Sequence, residues 1–189
     1  MRRFILGWKQ RGYADRWSAH IVNYADDFVI CCKGQAHEAM AAMRGMMETL
    51  KLTVNDDKTH LCRIPQERFD FLGYTGRCYS RENGRAYIGT RPSRKSIKRM
   101  VDTLTEETDR RRTLLDADYV VGRLNRKLTG GANYFCLGPV SSAYRAINTH
   151  VTQRLRWWLC KKHKVAGRGQ FRYPDTYLYK WGIHLAPLG

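Results

Sequence analysis

The apolar pattern of this 189-residue chain changes its period at Pro92. Before Pro92, short runs rich in β-branched and aromatic residues dominate, such as Ile21-Val22, Phe28-Val29-Ile30 and Phe69-Asp70-Phe71. After it, apolar residues recur every three or four positions over long stretches. The first pattern belongs to strands and the second to helices, and one layer cannot satisfy both. The pattern therefore predicts an α+β fold: an antiparallel sheet with packed helices over residues 1–90, then an all-α bundle over 91–189.

Finer expectations follow from local chemistry. Residues 2–12 read as the end of a helix, and 34–52 as an amphipathic helix whose stripe is Ala39, Met43, Met46 or Met47 and Leu50. Strands are expected at 19–24 and 27–32, and around 52–55, 59–63 and 69–74. Residues 76–89 read as a hairpin turning at Glu82-Asn83-Gly84. Beyond Pro92, helices are predicted over 93–112, capped by Ser93, over 116–130, capped by Asp116 or Asp118, and over 141–164. Gly130-Gly131 should end or bend the second of these.

Charge sharpens the division. Residues 1–90 carry 14 Lys and Arg against 10 Asp and Glu, whereas residues 91–172 carry 19 against 6. A basic helical part with interleaved Trp, Tyr and Phe is the composition of a polyanion binder, with nucleic acid the leading partner. No apolar run reaches the ~18 residues of a membrane span. Six cysteines, Cys31 and Cys32 adjacent and the rest scattered, with no C-x-x-C pair, fit a reducing compartment, so the expected location is the cytoplasm, without a membrane partner.

Against this basic background, "IVNYADDFVICC" (21–32) sets two carboxylates, Asp26 and Asp27, between two apolar strands. One reading is a hairpin tip that happens to carry acids, since Asp favours turns. The other is a divalent-metal site: Mg²⁺ takes one or two protein carboxylates and completes its shell with water and substrate phosphate. Neighbours along an extended chain point to opposite sides, so one Asp would ligate and the other assist. Two-metal phosphoryl transfer also needs a carboxylate from another strand, and no neighbouring strand offers one.

Four segments in order carry a family resemblance. "YADD" between apolar strands resembles the metal-binding palm motif of reverse transcriptases, in particular those of the group II intron reverse transcriptase/maturase family. "LKLTVNDDKTHL" (50–61) is similar to that family's segment ending in an Asn-x-x-Lys-Thr group. "FDFLGY" (69–74) is similar to its primer-grip hairpin. "LNRKLTGGANYF" (124–135) and "RLRWWLCKKHK" (154–164) resemble its thumb, or maturase, domain. One departure is Thr129-Gly130-Gly131, where the family usually has Arg-Gly-Trp.

The resemblance implies Mg²⁺-dependent, RNA-directed DNA polymerase chemistry with intron RNA binding that assists splicing. It makes Asp26 and Asp27 catalytic metal ligands and puts Lys58 near the triphosphate. Tyr24, Ala25 and the Phe71-Leu72-Gly73-Tyr74 turn would lie beside the primer end or nucleotide. Gly73 would permit close backbone approach, or else mark a β-bulge. Arg123, Arg126 and Lys127 share a helix with Leu124 and Leu128, and Arg154, Arg156, Lys161, Lys162 and Lys164 lie on the last long helix. With the leucines in the core, these cations would face RNA phosphates. The expected partners are group II intron RNA, an RNA template and a DNA primer. The fingers and the strand bearing the first catalytic Asp are expected before residue 1, in a longer protein or a partner chain, so polymerase competence of this chain alone is not expected. A non-catalytic RNA-binding maturase module and a decayed fragment are the other readings these residues leave open.

Overall fold

The computed structural model describes residues 1–64, 66–79 and 86–183. The described chain is α+β, with seven α-helices and five strands in two small antiparallel sheets. It divides into two compact units, Met1–Glu67 and Arg68–Gly189.

The first unit runs α1 (Arg2–Gln10), α2 (Tyr13–Arg16), β1 (His20–Tyr24), β2 (Asp27–Cys31) and α3 (Ala36–Thr49). Phe4 and Trp8 lie one turn apart on α1, and both are buried. Neighbouring aromatics hold them: Phe4 reaches Phe28 of β2 with 5.4 Å between ring centroids, and Trp8 meets Tyr13 edge-on at 5.2 Å. From α3, Ala39, Met43, Met46 and Met47 complete the core, so the methionine stripe is packing material, as its spacing predicts. The strands expected at 52–55 and 59–63 do not form. Asn55 turns the chain instead. The Lys58 N–H donates to both Asn55 O and Asn55 Oδ1 (3.3 and 3.2 Å), a local alternative to a strand ladder that Asn side chains favour.

The second unit begins with a three-stranded sheet: β3 (Phe69–Phe71), β4 (Tyr74–Tyr79) and β5 (Ala86–Pro92), in that order. The single strand expected over 69–74 is two strands joined by Leu72-Gly73, with Phe71 paired to Tyr74. The turn expected at Glu82-Asn83-Gly84 lies outside the described residues. Four helices follow: α4 (Arg94–Glu107), α5 (Ala117–Tyr134), α6 (Ser141–Lys162) and α7 (Asp175–Lys180), with a short 3-10 helix at Arg110–Arg112. Both expected caps are present. Ser93 Oγ accepts from the Ser96 N–H, and an Asp116 carboxylate oxygen accepts from the Asp118 and Tyr119 N–H groups. The core is one apolar seam through Leu104, Val120, Leu124, Leu128, Val151 and Leu155, closed by Leu159 and Leu178. Helix α5 does not stop at Gly130-Gly131. An added Cβ at Gly131 would lie 2.9 Å from Met100 Cε, so this glycine brings α5 close to α4 without breaking it. The compact units therefore group the β3–β5 sheet with the helices, where the change of sequence period groups it with the first part.

Candidate metal-binding hairpin and nucleic-acid interface

Pairing of Tyr24 with Asp27 leaves Ala25-Asp26 as a two-residue hairpin loop. Short hairpin loops need a positive φ, a task usually given to Gly or Asn. Here Ala25 has φ +51°, in a region that costs an L-residue roughly 1–2 kcal/mol. The conformation holds Asp26 at the loop and Asp27 at the first position of β2, both exposed. Neither carboxylate has a hydrogen-bond or ion-pair partner among the described residues, so four hard oxygen atoms stand free. Tyr24 is 67% exposed and is not a packing residue of the hairpin. This donor set fits Mg²⁺ in kind and in number for a partial shell. Among the described residues, no three His, Cys, Asp or Glu side chains converge.

Lys58 lies on the Asn55 turn, exposed, with its ammonium unpaired among the described residues. The turn is tied back to α3 by an ion pair of 2.6 Å between Arg44 and Asp56. Asp56 is thus engaged by a cation, while Asp57 and Lys58 remain in solvent.

The Phe71–Tyr74 turn is built differently. Leu72 and Gly73 both take positive φ, +49° and +76°, the signature of a tight hairpin and not of a bulge. The Gly73 carbonyl accepts from Ser93 N–H at 2.8 Å and from Ser96 Oγ at 3.0 Å. A reciprocal pair of tyrosines completes the attachment. Tyr74 donates its hydroxyl to the Tyr134 carbonyl (2.5 Å), and Tyr134 donates its own to the Leu72 carbonyl (2.9 Å). Burial raises the Tyr74 phenol above its ordinary pKa. The sequence marks Tyr134 only as an aromatic. Its role here comes from the meeting of two segments 62 residues apart, for which sequence spacing holds no signal.

The eight cations expected to face RNA fall into two groups. Four are engaged within the protein. Arg123 forms a bidentate pair with Glu107 through Nε and Nη2, each at 2.7 Å. Arg154 donates to Thr108 Oγ1 and to the carbonyls of Thr105 and Thr108, satisfying the C-terminal end of α4. Arg156 holds the Tyr173 carbonyl (2.8 Å) and the Asp175 carboxylate. Lys162 donates to the carbonyls of Thr113 and Leu115 and lies over the Trp158 ring. The other four, Arg126, Lys127, Lys161 and Lys164, are exposed and make no hydrogen bond or ion pair among the described residues. Arg94, Lys95, Lys98 and Arg99 add exposed cations on α4 that no sequence motif singles out.

Glu107 explains the engagement of Arg123. It is 5% exposed, and a buried carboxylate needs compensation. Hydrogen bonding from Arg123, with the nearby charge of Arg112, holds its carboxyl below the usual carboxylate range. The same bonds raise Arg123 further above its already high value.

Comparison with known families adds two matches that follow one another along the chain. Residues 1–76 match a family model described as reverse transcriptase (RNA-dependent DNA polymerase). Residues 97–174 match one described as group II intron, maturase-specific domain. No curated protein matches the chain.

Proposed function

Because the chain belongs to the group II intron reverse transcriptase/maturase family, we propose that it binds group II intron RNA through its helical unit and supplies part of an RNA-directed DNA polymerase site through its Asp26-Asp27 hairpin. The observation that carries the reading is the division of labour among the charges. Two unpaired carboxylates stand on a rigid hairpin loop in a chain whose second unit keeps an excess of unpaired cations. In this reading Asp26 and Asp27 hold Mg²⁺, which when bound neutralises phosphate charge and activates the primer hydroxyl. Ala25, with no side chain beyond a methyl, leaves room beside the carboxylates for a nucleotide. Lys58 supplies a cation for the triphosphate. The Phe71–Tyr74 turn lies along the primer strand, held from behind by Tyr134 and Ser96. Palm function is assigned to residues 1–90 and thumb and maturase function to 91–189, with the work done in the cytoplasm. No described helix is long and apolar enough to cross a membrane.

Two-metal transfer requires carboxylates from more than one strand. Among the described residues no third metal-ligating side chain converges on the hairpin. Primer extension on an RNA template with Mg²⁺ tests this half of the proposal. The purified chain is expected to give no product; synthesis that disappears in Asp26→Ala would place a complete site within these residues. Binding to a structured intron RNA tests the other half. Affinity should fall steeply with salt, with a log–log slope of about 0.7–0.9 per phosphate engaged. A flat response would remove RNA binding from the account.

A further inference from the structure

Residues of α6 and of the segment after it face each other across an open groove of about 620 Å³. One wall is a single stripe of α6, with Arg145, Thr149 and Gln153 at intervals of four residues. The other carries Gln170, Thr176 and Tyr179. All six are exposed, and none of their side chains has a hydrogen-bond or ion-pair partner among the described residues. Elsewhere on α6, Arg154 and Lys162 are engaged within the protein, while Lys161 is exposed and unpaired among the described residues. The groove brings together six polar groups that folding leaves unused. Its Asp175 carboxylate is neutralised by Arg156, which removes the main charge that would repel a phosphate.

The chemistry of these groups is selective. Amide and hydroxyl side chains both donate and accept, which suits base edges and not an apolar peptide face. Arg145 offers a guanidinium for a phosphate, and the half-exposed Tyr179 ring offers a stacking face. Bases paired in an A-form duplex do not present these edges, because the major groove is too deep and narrow for side chains to read. Next to Gln170 in sequence, Phe171 is fully exposed and flanked by Arg172, a second aromatic and cation pair on the same segment. At Gly169 that segment passes close against α6. Gly169 has φ +71°, its missing Cβ would fall within contact of Cys160 Sγ, and its carbonyl accepts from the Tyr173 N–H.

We infer that the groove between α6 and the 170–179 segment binds an unpaired stretch of RNA, with Arg145 on a phosphate, Gln153 and Gln170 on base edges and Tyr179 stacked on a base. This rests on the RNA-binding reading above and names the form of RNA that one site takes. The wall from Asp175 to Tyr179 lies beyond the residues matched to the maturase-specific domain, while the α6 wall and Gln170 lie within them.

The test uses the full chain and two labelled probes, a mixed-sequence single-stranded RNA octamer and a duplex of the same sequence, read by fluorescence anisotropy. Tyr179→Ala should weaken octamer binding by about 5- to 100-fold, the range for losing one stacked base. Gln153→Leu with Gln170→Leu should weaken it and flatten any preference among octamer sequences. Duplex binding should be unchanged in both variants, because it depends on cations outside the groove. Arg126→Ala with Lys127→Ala should instead weaken duplex binding while leaving the Tyr179 effect in place. Equal losses for both probes, or no loss for the octamer while the duplex still binds, would overturn the groove assignment alone. Failure of the wild-type chain to bind either probe would overturn the RNA-binding reading with it. Displacement of the octamer by poly-glutamate but not by unlabelled octamer would identify an acidic protein segment as the occupant and also overturn the assignment.

Discussion

At Gly73 backbone geometry and packing demand the same residue, so Gly73→Ala is a sharp perturbation. Two costs add. The φ of +76° costs an L-residue roughly 1–2 kcal/mol. The new Cβ would also lie 2.8 Å from Ser96 Oγ, and that hydroxyl must rotate away. Rotation breaks its bond to the Gly73 carbonyl and its bond with Ser93 Oγ, both at 3.0 Å, each worth about 0.5–1.5 kcal/mol. The total is about 2–5 kcal/mol of the second unit's stability. Urea unfolding followed by tryptophan fluorescence measures it. The informative comparison is Gly73→Ala in a Ser96→Ala background. There the clash and the two hydroxyl bonds are already gone, so only the roughly 1–2 kcal/mol backbone cost should remain. Additive costs from the two substitutions would show that Ser96 does not brace the turn. A cost below about 0.5 kcal/mol for Gly73→Ala alone would refute the positive-φ turn itself.

Ser93→Ala removes the cap of α4 and should cost about 0.5–2 kcal/mol in the same unfolding assay, with Ser93→Gly costing only a few tenths. Acid stability should carry two signatures. His150 is held below its ordinary value of 6.5, first by burial and then by the charge of Arg154, so it folds neutral. Its contribution is present above pH 6.5 and declines as pH falls below it, and His150→Gln should flatten that upper decline. Glu107, held below its ordinary 4.5 chiefly by hydrogen bonding from Arg123, contributes stability above pH 4.5 that is lost as pH falls further. Glu107→Gln should therefore lower stability at neutral pH and remove the lower decline, as read from urea midpoints across pH.

What the sequence made legible is what short-range chemistry decides. The Ala25-Asp26 loop, the methionine face of α3 and the caps Ser93 and Asp116 each depend on residues within a few positions of one another. The strands expected at 52–55 and 59–63 are absent for an equally local reason. Asn55 bonds the Lys58 N–H with its own carbonyl and side chain, a competition that a β-propensity pattern does not register. Gly131 reads in sequence as a helix terminator, yet its function is to let Met100 approach, which only the packing of α4 on α5 creates. The cations were the least legible. Arg123 and Arg126 are three residues apart on one helix, yet one is tied to Glu107 and the other is unpaired among the described residues. Only the long-range meeting of α4 and α5 separates them.

That separation supplies the most direct test of the account. The quantity is the slope of log affinity against log salt for the full chain on a structured RNA. Removing Arg126, Lys127, Lys161 and Lys164 together, each to Ala, should reduce the slope by about 0.7–0.9 for each phosphate no longer neutralised, or about 3 in all. Removing Arg154 or Lys162, each to Gln, in chains shown to remain folded, should leave the slope unchanged, because those charges already face carbonyl oxygens of the protein. An unchanged slope in the fourfold variant, or an equal drop when the engaged cations are removed, would contradict the assignment of RNA binding to the unpaired cations of the helical unit.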